Sequence, residues 1–272
     1  MERIATVLVL VMLRGVLSVL PDRVFAAEQE RLAALWFDLH NQAIPEGAQT
    51  DSGFGKVRNF DDFCRKALDT TNLWNIRQAG GTDPAINLQA NGVVRITGDG
   101  TDGDIDQLND MVIYRPTAGG PLMCEWRVIP RTSVADGEYF VGLTDEDAAE
   151  TPIQVSTADV QTDSATDAVG FCYTGAGTAN WKACAVKNNS SRTPVACNQG
   201  GVTTPVVGTY QIFKIVINVD GDADFYINGK LHARIDDAVT AATLLAPSIG
   251  QQTGGTARGI DADYRYVECG RV

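Results

Sequence analysis

The chain has 272 residues and 27 glycines, with a formal net charge of −12 and 21% charged residues. The negative charge argues against a nucleic-acid-binding protein, because contacts to phosphate need a basic surface. Abundant glycine with sparse charge favours a turn-rich β protein over a charged helical assembly.

The N-terminal residues allow two interpretations. Glu2 and Arg3 precede the apolar run 4–13, and Ala26 and Ala27 come later, an order typical of a cleavable secretory signal. Alternatively, the run is a retained helix that buries an apolar stripe against a partner subunit, consisting of Ile4, Leu8, Val11 and Leu17. No run reaches the ~20 apolar residues that span a bilayer, so no membrane span is predicted.

A second helix is predicted over 26–42. Its apolar residues recur at helical spacing: Leu32, Leu35, Trp36 and Leu39. The following stretch, 45–56, is rich in Gly, Ser and Gln and is typical of a linker. We therefore expect an α-helical segment with its linker at 1–56 and a globular domain at 57–272.

The stretch 210–236 carries the clearest structural signal. Phe213, Ile215 and Ile217 alternate with polar residues, as on a strand with one buried face. Asn228-Gly229 then separates two strand-like runs and predicts a type I′ hairpin, which needs positive φ at both residues. Further strands are predicted at 93–96, 111–115, 123–130, 138–143, 169–173, 181–187, 195–198 and 264–267. The pattern predicts an all-β, antiparallel two-sheet sandwich or jelly roll.

Several segments carry a resemblance to a known family. They are FDDFCRKALDTTNLW, YFVGLTDEDAAETPI, TDSATDAVGFCY, WKACAVK, TYQIFKIVINVDGDADFYINGKLHARI and DADYRYV. Together they resemble the concanavalin A-like (lectin/glucanase) jelly-roll domain, and more narrowly its versions in tailed-bacteriophage virion proteins. The resemblance covers about 57–272 and implies two antiparallel sheets packed face to face. It implies no single activity, because the family includes lectins, glycoside hydrolases and structural modules of phage heads and tails.

The resemblance implies that a hydrolase of this family would carry two catalytic carboxylates on alternate residues of one strand. Glu146, Asp147 and Glu150 do not match the family spacing and lie where a loop is expected. Glu125 and Glu138 each lack a carboxylate partner at strand spacing, and each is predicted to face outward. We therefore expect no catalytic site and no enzymatic activity.

The two histidines do not suggest nucleophilic catalysis either. His40 falls in the second predicted helix and His232 in the hairpin, and neither accompanies a nucleophile motif such as GxSxG. His232 alternates with Leu231 and Ala233, so we expect its side chain to face solvent.

One acidic loop is a calcium candidate, because carboxylates are the ligands that calcium prefers. Its members are Asp99, Asp102, Asp104, Asp106 and Asp110. An EF-hand is excluded, since position six from Asp102 is Gln107 rather than glycine, and position twelve is Ile113 rather than glutamate. The favoured prediction is that these carboxylates are solvated turn residues, with no bound metal and no cofactor.

Two cysteines are predicted to be neighbours. A hairpin centred between Ser190 and Ser191 would set Cys184 opposite Cys197, at a separation suited to a disulfide. The alternative is that both are small apolar core residues. No cysteine lies at zinc-ligand spacing from a histidine, so no structural zinc site is predicted.

The tryptophans are ambiguous. Trp74, Trp126 and Trp181 would form a sugar-stacking platform if they shared the concave face, but large aromatic side chains more often belong to a core. Pattern alone does not decide between these roles.

These observations favour a non-catalytic bacteriophage virion protein that decorates the head or belongs to the tail. Its N-terminal helices would attach it to capsid or tail subunits, and we expect a homo-oligomer. The alternative is a secreted, glycan-binding, lectin-like protein with a cleaved signal. A glycoside hydrolase ranks third.

Overall fold

The computed structural model describes residues 56–80, 82–87, 92–116, 120–131, 134, 137–146, 152–155, 161–175, 180–201 and 203–270, which belong to the unit Gly55–Val272. Both predicted N-terminal helices, His40, Asp147 and Glu150 lie outside the described residues. Within the described part of the chain, no helix is long and apolar enough to cross a bilayer.

The described residues form eighteen strands. In chain order these are β1 (Lys56–Asp61), β2 (Asn75–Ala79), β3 (Ala85–Asn87), β4 (Val93–Thr97), β5 (Ile105–Asn109), β6 (Leu122–Pro130), β7 (Gly137–Thr144), β8 (Ile153–Val155), β9 (Gln161–Asp163), β10 (Ala168–Thr174), β11 (Lys182–Lys187), β12 (Ser190–Ser191), β13 (Val195–Ala196), β14 (Gln211–Ile217), β15 (Ala223–Ile227), β16 (Lys230–Ile235), β17 (Ala246–Thr253) and β18 (Gly259–Gly270). The all-β prediction is confirmed for these residues.

The strands form two large antiparallel sheets. The first sheet runs β16-β15-β14-β6-β18-β4-β3, with β1 pairing with the far end of β18. The second sheet runs β12-β11-β10-β7-β17-β5-β2, with β13 also pairing with β11. A separate small sheet contains β8 and β9. The chain alternates between the two large sheets, as in a jelly-roll sandwich.

The hairpin between β15 and β16 has the predicted turn. Asn228 and Gly229 adopt φ values of 50° and 77°, the left-handed backbone that a type I′ turn requires. The Asn228 side chain also accepts a hydrogen bond from the backbone of Ile212 at 2.9 Å, which ties the turn to β14.

The predicted strand at 111–115 is wrong. Met111 and Ile113 are exposed, and the segment is a connection in which Tyr114 forms an isolated bridge with Leu245. The side chain of Tyr114 is buried instead, and its hydroxyl donates a hydrogen bond to Asp110 at 3.2 Å. The alternation at 111–115 therefore reflects one buried tyrosine, Tyr114, rather than a strand.

An ion pair joins the two sheets inside the core. Arg265 lies on β18 of the first sheet and Asp110 directly follows β5 of the second; Nη2 and Oδ2 are 2.8 Å apart, and both side chains are fully buried. Arg265 also donates to the carbonyl of Asn59 at 3.2 Å and lies 4.9 Å from the Trp74 ring centroid. Burial raises the pKa of Asp110, while Arg265 opposes that rise. The pair therefore fixes how the sheets are placed together.

We predict that Arg265→Met lowers the free energy of unfolding by about 3–5 kcal/mol, because it leaves the Asp110 carboxylate buried without a counter-charge. Urea unfolding measures the loss. The double variant Arg265→Met with Asp110→Leu should recover much of it, since no buried charge remains. The control Arg58→Met, which breaks a surface pair with Glu268, should cost less than about 1 kcal/mol. Equal losses for Arg265→Met and Arg58→Met would contradict this assignment.

Candidate functional site

The alternation along β7 defines two faces of the second sheet. Tyr139, Val141 and Leu143 enter the core between the sheets, so Glu138, Phe140, Gly142 and Thr144 lie on the outer face. The prediction that Glu138 faces outward is confirmed. Because β7 is the central strand of the second sheet, its outer residues lie between two halves of this face.

One half of the outer face is apolar and closed. A second hydrophobic cluster lies there, formed by Phe140, Ala165, Ala168, Cys172, Cys184 and Val186, all of them buried. Gly170 has no side chain at the position over which the Phe140 ring lies, and a Cβ there would clash with the ring. Phe140 therefore seals this half, which we regard as structural.

The other half, on β7, β17, β5 and β2, is polar. Its outward side chains are Asn75, Arg77, Gln107, Asn109, Glu138, Ser248 and Gln252, which we call the polar half. Strand register brings them together, since Ser248 is paired with Asn109, Gln252 with Glu138, and Arg77 with Gln107. The face thus offers amide, hydroxyl, guanidinium and carboxyl groups side by side.

Hydrogen bonds orient the centre of the polar half. Nε2 of Gln107 lies 2.7 Å from Oδ1 of Asn109 and 3.0 Å from Oγ of Ser248, and all three residues are buried. Oε1 of Gln107 and Oε2 of Glu138 are buried and accept no hydrogen bond from the described residues. Burial also raises the pKa of Glu138. Two acceptor oxygens are therefore left for a bound donor.

Carboxylates are scarce on this face. Positions two and four after Glu138 on β7 are Phe140 and Gly142, and among the described strand positions on the outer face of the second sheet, Glu138 is the one carboxyl. Glu146 follows β7, where its N–H donates to Oγ1 of Thr144 at 2.9 Å. Glu125 faces outward from the first sheet and accepts a hydrogen bond from the Tyr264 hydroxyl at 2.8 Å.

Sequence reasoning singled out Glu138 but missed its neighbours Gln107, Asn109, Ser248 and Gln252. A signal was available, because these polar residues alternate with core residues on β5 and β17. Their assembly into one site depends on strand register, which their spacing in the chain does not reveal.

The acidic loop departs from the prediction of solvated carboxylates. Asp104 and Asp106 are buried, whereas Asp102 is exposed. A hydrogen bond between Asp99 and Asp104 lowers the pKa of Asp99 and raises that of Asp104. Within the described ranges, no group of three or more acidic, histidine or cysteine side chains could hold a metal ion. The structure therefore gives no support to the calcium alternative.

The predicted opposition of Cys184 and Cys197 is wrong. The hairpin turns at Asn188 and Asn189, both at positive φ, and Cys197 donates its N–H to the carbonyl of Trp181. Cys197 therefore lies in the core between the sheets, while Cys184 lies in the cluster on the outer face. Both are free thiols. Cys172 is hydrogen-bonded to Cys184, and burial raises its pKa well above the ordinary value.

His232 is buried rather than solvent-facing. Its Nδ1 accepts the N–H of Gly200 at 3.3 Å, and its ring also hydrogen-bonds the backbone of Cys197. Burial lowers its pKa. The imidazole therefore fastens the 197–201 loop to β16, which explains a histidine at this position.

The tryptophans do not form a surface platform. Trp74, Trp126 and Trp181 are all buried in the core between the sheets. Nε1 of Trp74 donates to Asp61 at 2.9 Å, and Nε1 of Trp181 donates to Gln211 at 3.0 Å. The platform alternative is corrected accordingly, because these indoles hold the interior.

Comparisons with solved structures identify the fold. The chain is similar to the β-glucanase of Bacillus licheniformis, with 12% identity and a TM-score of 0.55, over 79% of this chain and 98% of that one. It is also similar to a prokaryotic β-1,3-1,4-glucanase (lichenase) from a mouse hindgut metagenome, with 10% identity and a TM-score of 0.53, over 78% and 98%. Peanut lectin matches with 11% identity and a TM-score of 0.51, over 78% and 97%. No family model and no curated protein sequence matches the chain.

The likenesses confirm the concanavalin A-like lectin/glucanase jelly-roll fold, and identities this low show the fold alone. They also correct the expectation that the chain is not an enzyme, because two of these three similar structures are glucanases. The lack of a paired-carboxylate motif was too narrow a basis for that expectation. None of the three is a phage protein, so the virion setting stays a proposal.

Asp106 gives a pH prediction. Burial first, and then the charges of Asp104 and Asp99, raise its pKa to about 6 in the folded state. The folded protein therefore binds more protons than the unfolded chain between about pH 4 and 6, so this group lowers stability as the pH rises. We predict that Asp106→Asn raises Tm relative to wild type at about pH 7 and has less effect at about pH 4.

The control for this prediction is Asp222→Asn. Hydrogen bonds from the backbone of Asp237 and from Asn218 lower the pKa of Asp222, so its contribution is present at neutral pH and is lost as the pH falls. At about pH 7, Asp106→Asn should therefore raise Tm relative to wild type and Asp222→Asn should lower it. Thermal unfolding at about pH 7 and at about pH 4 measures both changes. A shift for Asp106→Asn that does not change with pH would refute the assignment.

Proposed function

We propose that the protein binds carbohydrate through the polar half of the second sheet. The observation that carries this proposal is a pair of buried acceptor oxygens on the outer face, Oε1 of Gln107 and Oε2 of Glu138, which accept no hydrogen bond from the described residues. The fold supports it, because glucanases and lectins share this architecture.

The chemistry of the polar half suits a sugar ligand. Sugar hydroxyl groups donate and accept hydrogen bonds, and amide and carboxyl side chains supply complementary partners at fixed positions. A buried acceptor without a donor costs free energy, and a ligand hydroxyl removes that cost on binding. The Gln107–Asn109–Ser248 hydrogen bonds hold the amides in place before a ligand arrives.

Glu138 is the residue that could add chemistry to binding. Burial raises its pKa, which favours the protonated form that a general acid needs near a glycosidic oxygen. The two-carboxylate route also requires a second carboxyl group. On the outer face of the second sheet, Glu138 supplies the one carboxyl group among the strand positions that the structure describes. Glycan binding and glycan cleavage are therefore two separate properties, and each needs its own measurement.

We predict that Glu138→Ala weakens binding of laminaritetraose by about 10- to 100-fold, the effect of leaving a buried sugar hydroxyl without its acceptor. This oligosaccharide is bound by a structurally similar protein from Zobellia galactanivorans. Isothermal titration calorimetry gives the affinity, and release of reducing ends from β-1,3-1,4-glucan reports cleavage. Any cleavage should be lost in Glu138→Gln, which has no ionisable proton.

The matched control is Glu125→Ala, which removes a carboxyl from the outer face of the other sheet. It should leave both readouts unchanged, with folding checked by thermal unfolding. The proposal is overturned if wild-type protein does not bind these glucans, or if Glu138→Ala binds as wild type does.

We also propose, from the sequence resemblance, that the protein is a component of a phage virion, with residues 1–42 attaching it to neighbouring subunits. The segments quoted above and the two apolar stripes at 4–17 and 32–39 support this placement. The alternative is a secreted protein from which the same N-terminal residues are removed.

Intact-mass analysis after expression in an export-competent cell separates the two settings. We predict that Met1, or the residue after it, is retained, as an attachment segment requires. Loss of about 26 residues at Ala26 would instead indicate a cleaved signal and a secreted protein.

A further inference from the structure

The outer face of the first sheet is chemically unlike the polar half. A row of six side chains crosses it at one level: Leu231, Tyr226, Lys214, Glu125, Tyr266 and Phe60. Strand register fixes this order across β16, β15, β14, β6, β18 and β1, because each residue is paired with the next. We call it the central row.

The two ends of the central row are exposed apolar side chains. Phe60 is 59% exposed and Leu231 is 43% exposed, whereas the four residues between them are partly buried. Lys214 lies 4.6 Å from the Tyr226 ring centroid, and Phe60 lies 5.8 Å from the ring of Tyr264. Tyrosine, arginine and phenylalanine are enriched at protein interfaces, and this face is rich in them.

The order of the central row is self-complementary. Read across the sheet, it runs apolar, tyrosine, cation, anion, tyrosine, apolar. A two-fold axis parallel to the strands, between β14 and β6, would bring Lys214 over Glu125 of a second copy. The same axis brings Tyr226 over Tyr266 and Leu231 over Phe60. An isologous dimer requires this property, because both copies use the same patch.

The charge of this face allows two copies to meet. The whole chain has a formal net charge of −12, so most of its surface would repel a second copy. The outward positions of these six strands sum to neutral, with five cations and five carboxylates: Lys56, Arg58, Arg127, Lys214 and Arg234 against Glu125, Asp224, Asp261, Asp263 and Glu268. Glu268 is paired with Lys56 and Arg58, and Asp263 with Arg127, within one chain.

The area of the face is also close to that of a stable interface. Six strands about 4.8 Å apart, each with about seven residues, cover roughly 700 Å². A standard interface buries about 800 Å² on each partner. Aligned packing of two sheets places them about 10 Å apart, with interdigitating side chains, as inside a sandwich.

From this order, charge and area we propose that the outer face of the first sheet is the interface of a symmetric homodimer of this chain. The two copies pack these sheets face to face about the axis between β14 and β6. The polar half lies on the opposite sheet, so this packing does not involve it. This inference is independent of what the polar half binds.

Complementary charge reversal tests the dimer with the full chain. Lys214→Glu places glutamates over Glu125 of the other copy, and Glu125→Lys places lysines over Lys214. Like charges across an interface are strongly unfavourable, so each variant alone should weaken association at least about tenfold in sedimentation equilibrium. Mixing the two variants sets glutamate over lysine at every contact and should restore the dimer as a heterodimer.

The heterodimer distinguishes an interface from a role within one chain, because mixing cannot repair a defect inside either copy. Lys66→Glu, in the exposed connection after β1, is the control reversal and should associate as wild type does. The proposal is overturned if wild type remains monomeric at micromolar concentration, if either single reversal leaves association unchanged, or if the mixture remains monomeric.

Discussion

The buried pair of Arg265 and Asp110 joins the two sheets inside the core. Interdigitating apolar side chains supply most of the contact between the sheets, and the charge pair adds a contact that tolerates little displacement, because either charge left unpaired in the core is costly. Around it, Asn59, Trp74 and Tyr114 contact one or other partner. These contacts tie β1, β18 and the segment that follows β5 to one another inside the sandwich.

The two outward faces then differ in chemistry. On the second sheet, Glu138 and Gln107 keep buried acceptor oxygens that no described residue satisfies. On the first sheet, carboxylates such as Glu125 and Glu268 accept hydrogen bonds from tyrosines of the same chain. A face with unmet acceptors suits a hydroxyl-rich ligand, whereas a face with satisfied, balanced charges suits another protein surface. The sandwich thus separates two kinds of recognition.

Much of the fold could be predicted from the sequence, because alternation and turn chemistry are local. Asn228-Gly229 and the strands flanking it are examples. The polar half could not be predicted from the sequence, because Ser248 and Asn109 are brought together by the register between strands that are distant in the chain. The same limit explains the misplaced Cys184 and Cys197, where a turn at Asn188 rather than at Ser190 changed every pairing. The prediction that His232 faces solvent was wrong for another reason. The 197–201 loop covers a strand position that alternation assigns to solvent.

A crystal structure of the full chain with laminaritetraose would test the carbohydrate site proposed for the polar half of the second sheet. We expect sugar hydroxyls within hydrogen-bonding distance of Glu138 Oε2 and Gln107 Oε1. Sugar bound elsewhere, for example against the aromatic residues of the first sheet, with the polar half empty, would contradict it.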